Sequence, residues 1–190
     1  NFGTHPSAEA AGLGEARVNW LDAHRADDTV CTECFAALEL QRYLRKLTGR
    51  AGDFCIVDDD SPPEGELILV GGPESNAASR RWAAALGVDA QQLVELGPEG
   101  YRLKTATVDG RRVTLIAGGT RVGTLYGAYD LLYRYGCRRF APGELHEEVP
   151  SVARLGDVDV TQRPAFATRG FLAWQDRGDR EFLLWMARNR

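Results

Sequence analysis

Two alternating runs, Gly100–Val108 and Arg112–Ala117, are joined through Asp109-Gly110. Asp-Gly is a preferred pair for a two-residue type I′ turn, because both central positions need positive φ and the turn then matches the twist of the flanking strands. An antiparallel hairpin is therefore expected. Tyr101, Leu103 and Thr105 lie on one side of it and Arg102 and Lys104 on the other, and Val113 and Leu115 fill the inner face of the return strand. Gly118-Gly119 breaks that strand. From Thr124 to Tyr135 the period becomes helical, with Leu125, Ala128, Tyr129 and Leu132 as its stripe and Gly136 as its stop.

The rest of the chain reads as short strands and helices around this unit. Arg17–Leu21 alternates as a first strand. Thr32–Thr48 is helical, with Cys34, Ala37, Leu38, Leu44 and Leu47 on one face, Glu39, Arg42 and Arg45 off it, and Gly49 ending it. Phe54–Val57 and Leu67–Gly71 are strand-sized, separated by the acidic, proline-containing loop 58–65. Asp58-Asp59-Asp60 lacks the alternating ligand spacing and distal glutamate of a calcium loop, so it reads as a solvated turn. Asn76–Leu86 is expected as a helix ended by Gly87. Residues 137–150 are irregular, Val158–Val160 is extended, Thr168–Trp174 reads as a strand, and Asp179–Asn189 reads as a helix capped by Asp179.

Composition excludes several function classes. Of 190 residues, 44% are apolar and the net charge is −4, which suits a globular core and lacks the basic footprint of a general nucleic-acid binder. No segment approaches the ~20 apolar residues of a membrane-spanning helix. No export-signal pattern is visible, yet the chain starts at Asn1 and its one methionine is Met186, so a processed or trimmed product is expected.

Few residues stand in patterns that carry chemistry. Cys31 and Cys34 form a Cys-x-x-Cys at the start of the expected helix, where a helix N-terminus can activate a thiol; the plainer reading is two buried small residues. The Gly118-Gly119 turn ahead of a helix can cradle an anion, but it matches neither nucleotide-binding glycine pattern, and glycine in a tight turn has a sufficient structural use. His146 has no second histidine at zinc-helix spacing, and Glu144, Glu147 and Glu148 have no evident carboxylate partner for glycoside hydrolysis. No cofactor and no metal site is expected.

Six stretches together carry a resemblance. They are Phe35–Leu40 running on through Tyr43-Leu44 to Gly49, Leu67–Gly72, Gly97–Lys104, Ala117–Gly119 with Gly123–Gly127, Gly136–Gly143, and Arg163–Phe166 with Arg169-Gly170. In this order and spacing the chain resembles, from Val18 to Arg190, the N-terminal domain that precedes the catalytic barrel in bacterial alpha-glucuronidases and in family 20 beta-N-acetylhexosaminidases. The Trp185–Arg190 ending looks most like an alpha-glucuronidase-like group.

The resemblance implies an α+β fold: a mixed β-sheet with helices packed on one face, followed by the first strand and helix of a truncated (β/α)8 barrel. The expected organisation is a flexible arm (1–15), an accessory domain (16–165) and the start of the barrel (166–190). A complete barrel needs ~250 residues, so no complete catalytic site is expected here. The implied function is that of a non-catalytic accessory domain of an exported bacterial glycoside hydrolase. Its partners would be the catalytic barrel of the same polypeptide and, through the full-length protein, a carbohydrate. By the same resemblance Arg169 matches an arginine that hydrogen-bonds sugar hydroxyls, Trp174 would stack on a sugar face and Asp176 would accept hydroxyl protons. The 171–177 segment departs from the Asp-x-x-Arg that follows in family 20, which moves weight to the glucuronidase-like group. The rival readings are a stand-alone carbohydrate- or protein-binding module, and a small redox or nucleotide-binding enzyme using Cys31/Cys34 or the Gly118 turn.

Overall fold

The computed structural model describes residues 1–167, 169–171 and 178–190. In chain order its elements are α1 (Ala8–Gly12), α2 (Arg25–Thr48), β1 (Leu67–Val70), α3 (Ala77–Trp82), α4 (Ala90–Glu95), β2 (Tyr101–Val108), β3 (Arg111–Gly118), α5 (Arg121–Arg134), β4 (Arg138–Arg139), β5 (Glu147–Glu148), β6 (Asp159–Gln162) and α6 (Arg180–Asn189). A four-stranded mixed sheet runs β1-β3-β2-β6, and β4 and β5 form a separate short antiparallel pair.

The expected hairpin is present. Asp109 and Gly110 both take positive φ, 51° and 75°, and β2 and β3 pair antiparallel from Tyr101↔Gly118 to Val108↔Arg111. On its far edge β2 pairs antiparallel with β6, while β3 pairs parallel with β1, which makes the sheet mixed. As a central strand β3 is buried on both faces, Val113 through Ala117.

Alternation along the strands feeds two apolar clusters. Tyr101, Leu103 and Ile116 join Ala36, Leu40, Tyr43, Leu44 and Leu47 of α2 and Ala128, Tyr129, Leu131 and Leu132 of α5. Val108, Val113, Leu115 and Ala117 face the opposite way, onto Trp82, Leu86 and Leu93 around α3 and α4. Helices therefore cover both faces of the sheet, a correction to the one-faced packing expected. Val113 and Leu115 likewise lie on the face opposite Tyr101 and Leu103, because paired residues share a face and Leu103 pairs with Ile116.

Gly127 brings α5 against the sheet: a Cβ there would stand 3.0 Å from Ile116 Cγ2 and 3.4 Å from Leu103 Cδ2. Both long helices are longer than their apolar periodicity indicated. Thr120 caps α5 by accepting from the Val122 N–H at 3.2 Å, so the helix begins three residues earlier than expected. At the other end of α2, Gly49 adopts φ 69° and its N–H bonds Arg45 O at 2.9 Å. The expected Asn76–Leu86 helix is shorter, ending at Trp82, and α4 follows with Asp89 as its cap, unannounced by the sequence reading.

Three further expectations differ from what forms. Arg17–Leu21 is not a strand: a 3₁₀ turn covers Glu15–Arg17, and Leu21 is exposed. Phe54–Val57 makes no strand ladder. The N-terminal segment read as a flexible arm carries α1, which packs on α2 with Ala8 and Ala11 buried. A Cβ on Gly12 would meet the Phe35 backbone nitrogen at 2.6 Å, so only glycine permits that approach.

At the C-terminal end no barrel is present among the described residues. Residues 169–171 of the expected strand are not in a strand, and the remainder of it, residues 168 and 172–174, lies outside the described residues. The expected final helix forms as α6, with Asp179 accepting from the Glu181 and Phe182 N–H groups at 2.9 and 3.2 Å. It lies against the α+β unit through α5 and β4.

Candidate functional site

Arg169 is the one proposed sugar contact that falls within the described residues; Trp174 and Asp176 lie outside them. Its guanidinium is engaged with the α+β unit. One Nη donates to Phe166 O at 2.9 Å and the other to Glu99 Oε2 at 2.6 Å, in the turn ahead of β2. Both side chains stay about a third exposed. The structure thus joins Arg169 to Glu99 and, among the described residues, brings it to none of the other titratable residues singled out from the sequence.

The rival chemistries find their groups occupied. Cys31 and Cys34 are buried in the second and third turns of α2, since the helix starts at Arg25, so they lie beyond the N-terminal turn that would activate a thiol. Burial raises both thiols, Cys34 to about 11. At the glycine turn, the Gly118 N–H bonds Thr124 Oγ1 at 3.1 Å and the Gly119 N–H bonds Gly100 O at 2.9 Å, so both amides are used internally. Asp58 and Asp59 accept backbone N–H groups of Phe2 and Ala77. Among the described residues no group of three or more metal-ligating side chains comes together.

What sequence reasoning missed is a buried charge cluster. From the sequence Glu39 reads as off the apolar face of its helix, but it follows Ala36 by three residues and precedes Tyr43 by four, so it shares their buried side. Arg188 of α6 reaches it: Nε lies 2.7 Å from Glu39 Oε2, Nη2 3.0 Å from Glu39 Oε1, and Nη1 3.0 Å from Glu147 Oε1. Tyr129 donates to Glu39 at 3.2 Å and Tyr43 donates to Glu147. Arg139 completes the set, with Nε donating to Tyr43 Oη at 3.3 Å and its guanidinium 4.4 Å from the Tyr43 ring centre. Burial opposes the charge on Arg188, and hydrogen bonds from it to Glu39 more than offset that, holding its pKa above the ordinary arginine value. The apolar face of the same helix goes elsewhere. Phe182 and Trp185 stack with Phe171, at 5.8 Å from each other and at 5.9 and 5.4 Å from Phe171, and none of the three joins a core cluster.

Two open depressions of the described surface lie away from these residues. One is lined by Pro73, Arg80, Val88 and Gln92, the other by Glu66, Thr105, Arg112 and Asp157. Neither includes Arg169 or the buried cluster.

No curated protein sequence matches the chain. A family model described as Glycosyl hydrolase family 67 N-terminus matches residues 15–131, more than half of it, and spans α2 to most of α5. Of the two families suggested by the sequence resemblance, this is the alpha-glucuronidase side. The chain belongs to the glycosyl hydrolase family 67 N-terminal domain family.

Proposed function

We propose that the chain is the non-catalytic accessory domain of an alpha-glucuronidase-type glycoside hydrolase, and that it supports a catalytic barrel in the same polypeptide during glycan degradation. The observation that carries this is the aromatic group of Phe171, Phe182 and Trp185. These residues pack on one another and not into either core cluster, and Phe171 is 63% exposed. Apolar surface of this kind gains free energy when another unit covers it, roughly 25 cal/mol per Å². Residues 166–190 then lead from the accessory domain into that unit. On the same reading the protein is exported, as the sequence resemblance implies.

The test is the mass and activity of the protein as its native organism makes it. A polypeptide well above 20.9 kDa that hydrolyses an α-linked glucuronide, beside a 190-residue chain that does not, is the expected result. A native mass near 20.9 kDa, or hydrolysis by the 190-residue chain alone, overturns the reading. Cell fractionation checks the location.

A further inference from the structure

We propose that Glu39, Glu147, Tyr43 and Tyr129 form a guanidinium-binding site on the accessory domain, and that Arg188 in this site sets the register of α6.

Three features make the site. First, every nitrogen of the Arg188 side chain is used by carboxylate oxygens, two of them in a side-by-side pair with Glu39 and the third with Glu147. That planar fork is a match only guanidinium offers; a lysine ammonium is a single point donor and cannot meet three oxygens in one plane. Second, the carboxylates are held by groups of the domain itself. Tyr129 binds Glu39, Tyr43 binds Glu147, and Arg139 orients Tyr43. Third, among the nearly fully buried side chains the charges balance only with Arg188 in place, the more exposed Arg42 reaching Glu39 Oε1 at 3.4 Å. Glu39, Glu147, Arg139 and Arg188 are nearly fully buried, two of each sign. Among the described residues Glu147 Oε2 has no hydrogen-bond partner, and the half-exposed Lys46 ammonium stands 3.8 Å from it.

Apolar contact does not do this work. Of the α6 residues, Ala187 alone packs against the main core cluster. Sliding α6 by one residue would turn Arg188 about 100° around the axis and take its guanidinium away from both buried carboxylates. On this proposal the pair serves to fix position, since replacing a buried ion pair with well-packed apolar residues is often neutral or stabilising. The neighbouring Trp185 indole reinforces the register by donating to Arg139 O at 3.0 Å. The inference deepens the accessory-domain reading by naming what fixes α6 to the domain. It concerns this chain alone, so its failure leaves that reading standing, and the mass and activity test leaves this one untouched.

The experiment is chemical rescue in the 190-residue protein. Arg188→Ala should melt below wild type, and millimolar methylguanidinium should raise its melting temperature saturably, while equal sodium chloride does not and wild type does not respond. If Arg188→Ala does not fold, methylguanidinium should restore its native far-UV signal. Arg188→Lys keeps the charge without the fork, and the α6 amides should exchange at least tenfold faster than in wild type with β3 amides unchanged. Rescue no better than sodium chloride, or Arg188→Lys exchanging like wild type, overturns the proposal.

Discussion

Arg169 and Glu99 form an ion pair at 2.6 Å that ties the loop after β6 to the turn ahead of β2. With both side chains about a third exposed, such a pair contributes no more than about 1 kcal/mol and weakens with salt. Glu99→Ala and Arg169→Ala should therefore each lower stability by less than ~1 kcal/mol, and the double variant should lose no more than either alone. Thermal melts of the three variants check this. In a full-length enzyme, a sugar contact by Arg169 would appear as a rise in KM for Arg169→Ala that Glu99→Ala does not share.

Glu33 of α2 is buried at the C-terminal ends of β1 and β3, accepting from Ser75 Oγ at 3.0 Å and Thr124 Oγ1 at 3.2 Å. Burial pushes its carboxyl up to about 7, against the lowering effect of the two hydroxyls. The folded protein therefore holds a proton that the unfolded chain releases near its ordinary value of about 4.3. The stability tied to that proton is complete below about pH 4 and is lost as pH rises to about 7, on the order of 3 kcal/mol in all. Glu33→Gln keeps an acceptor and removes the charge. Its melting temperature should exceed that of wild type above pH 7 and vary less between pH 5 and 7.5.

Gly123 lies in the first turn of α5 with Gly100 directly beside it, and a Cβ there would stand 2.2 Å from Gly100 O. In an open helix Gly→Ala gains about 1 kcal/mol. Here the added methyl meets backbone, which cannot rotate away, so Gly123→Ala should lose at least ~2 kcal/mol by denaturant unfolding. Gly52→Ala, with nothing within 4 Å, should stay within ~0.5 kcal/mol of wild type.

Thiol chemistry separates the cysteines. Cys31, Cys34 and Cys137 are buried with raised pKa values, while Cys55 is exposed. Native alkylation at pH 7.5 should add one label, on Cys55, and unfolding should release all four thiols, as read by intact mass. Rapid native labelling of Cys31 would restore the redox reading of Cys31/Cys34.

Elements whose cause is local were legible in the order of the amino acids. Asp109-Gly110 specifies its turn because two adjacent positive φ angles favour those residue types, and Gly49, Asn76 and Asp179 mark helix ends by bonds within a few residues. The family was legible too, because six spaced stretches record one fold together. Which face of the sheet each strand residue takes was not, since Val113 and Leu115 alternate correctly whichever side holds the larger helices. Only the parallel docking of β1 on β3, with α3 and α4 beyond it, makes both faces interior. The Glu39–Arg188 pair was hidden for the same reason. Its partners stand 149 residues apart, and a charged residue on a helix stripe reads as solvated until tertiary packing brings an opposite charge into the same dry space.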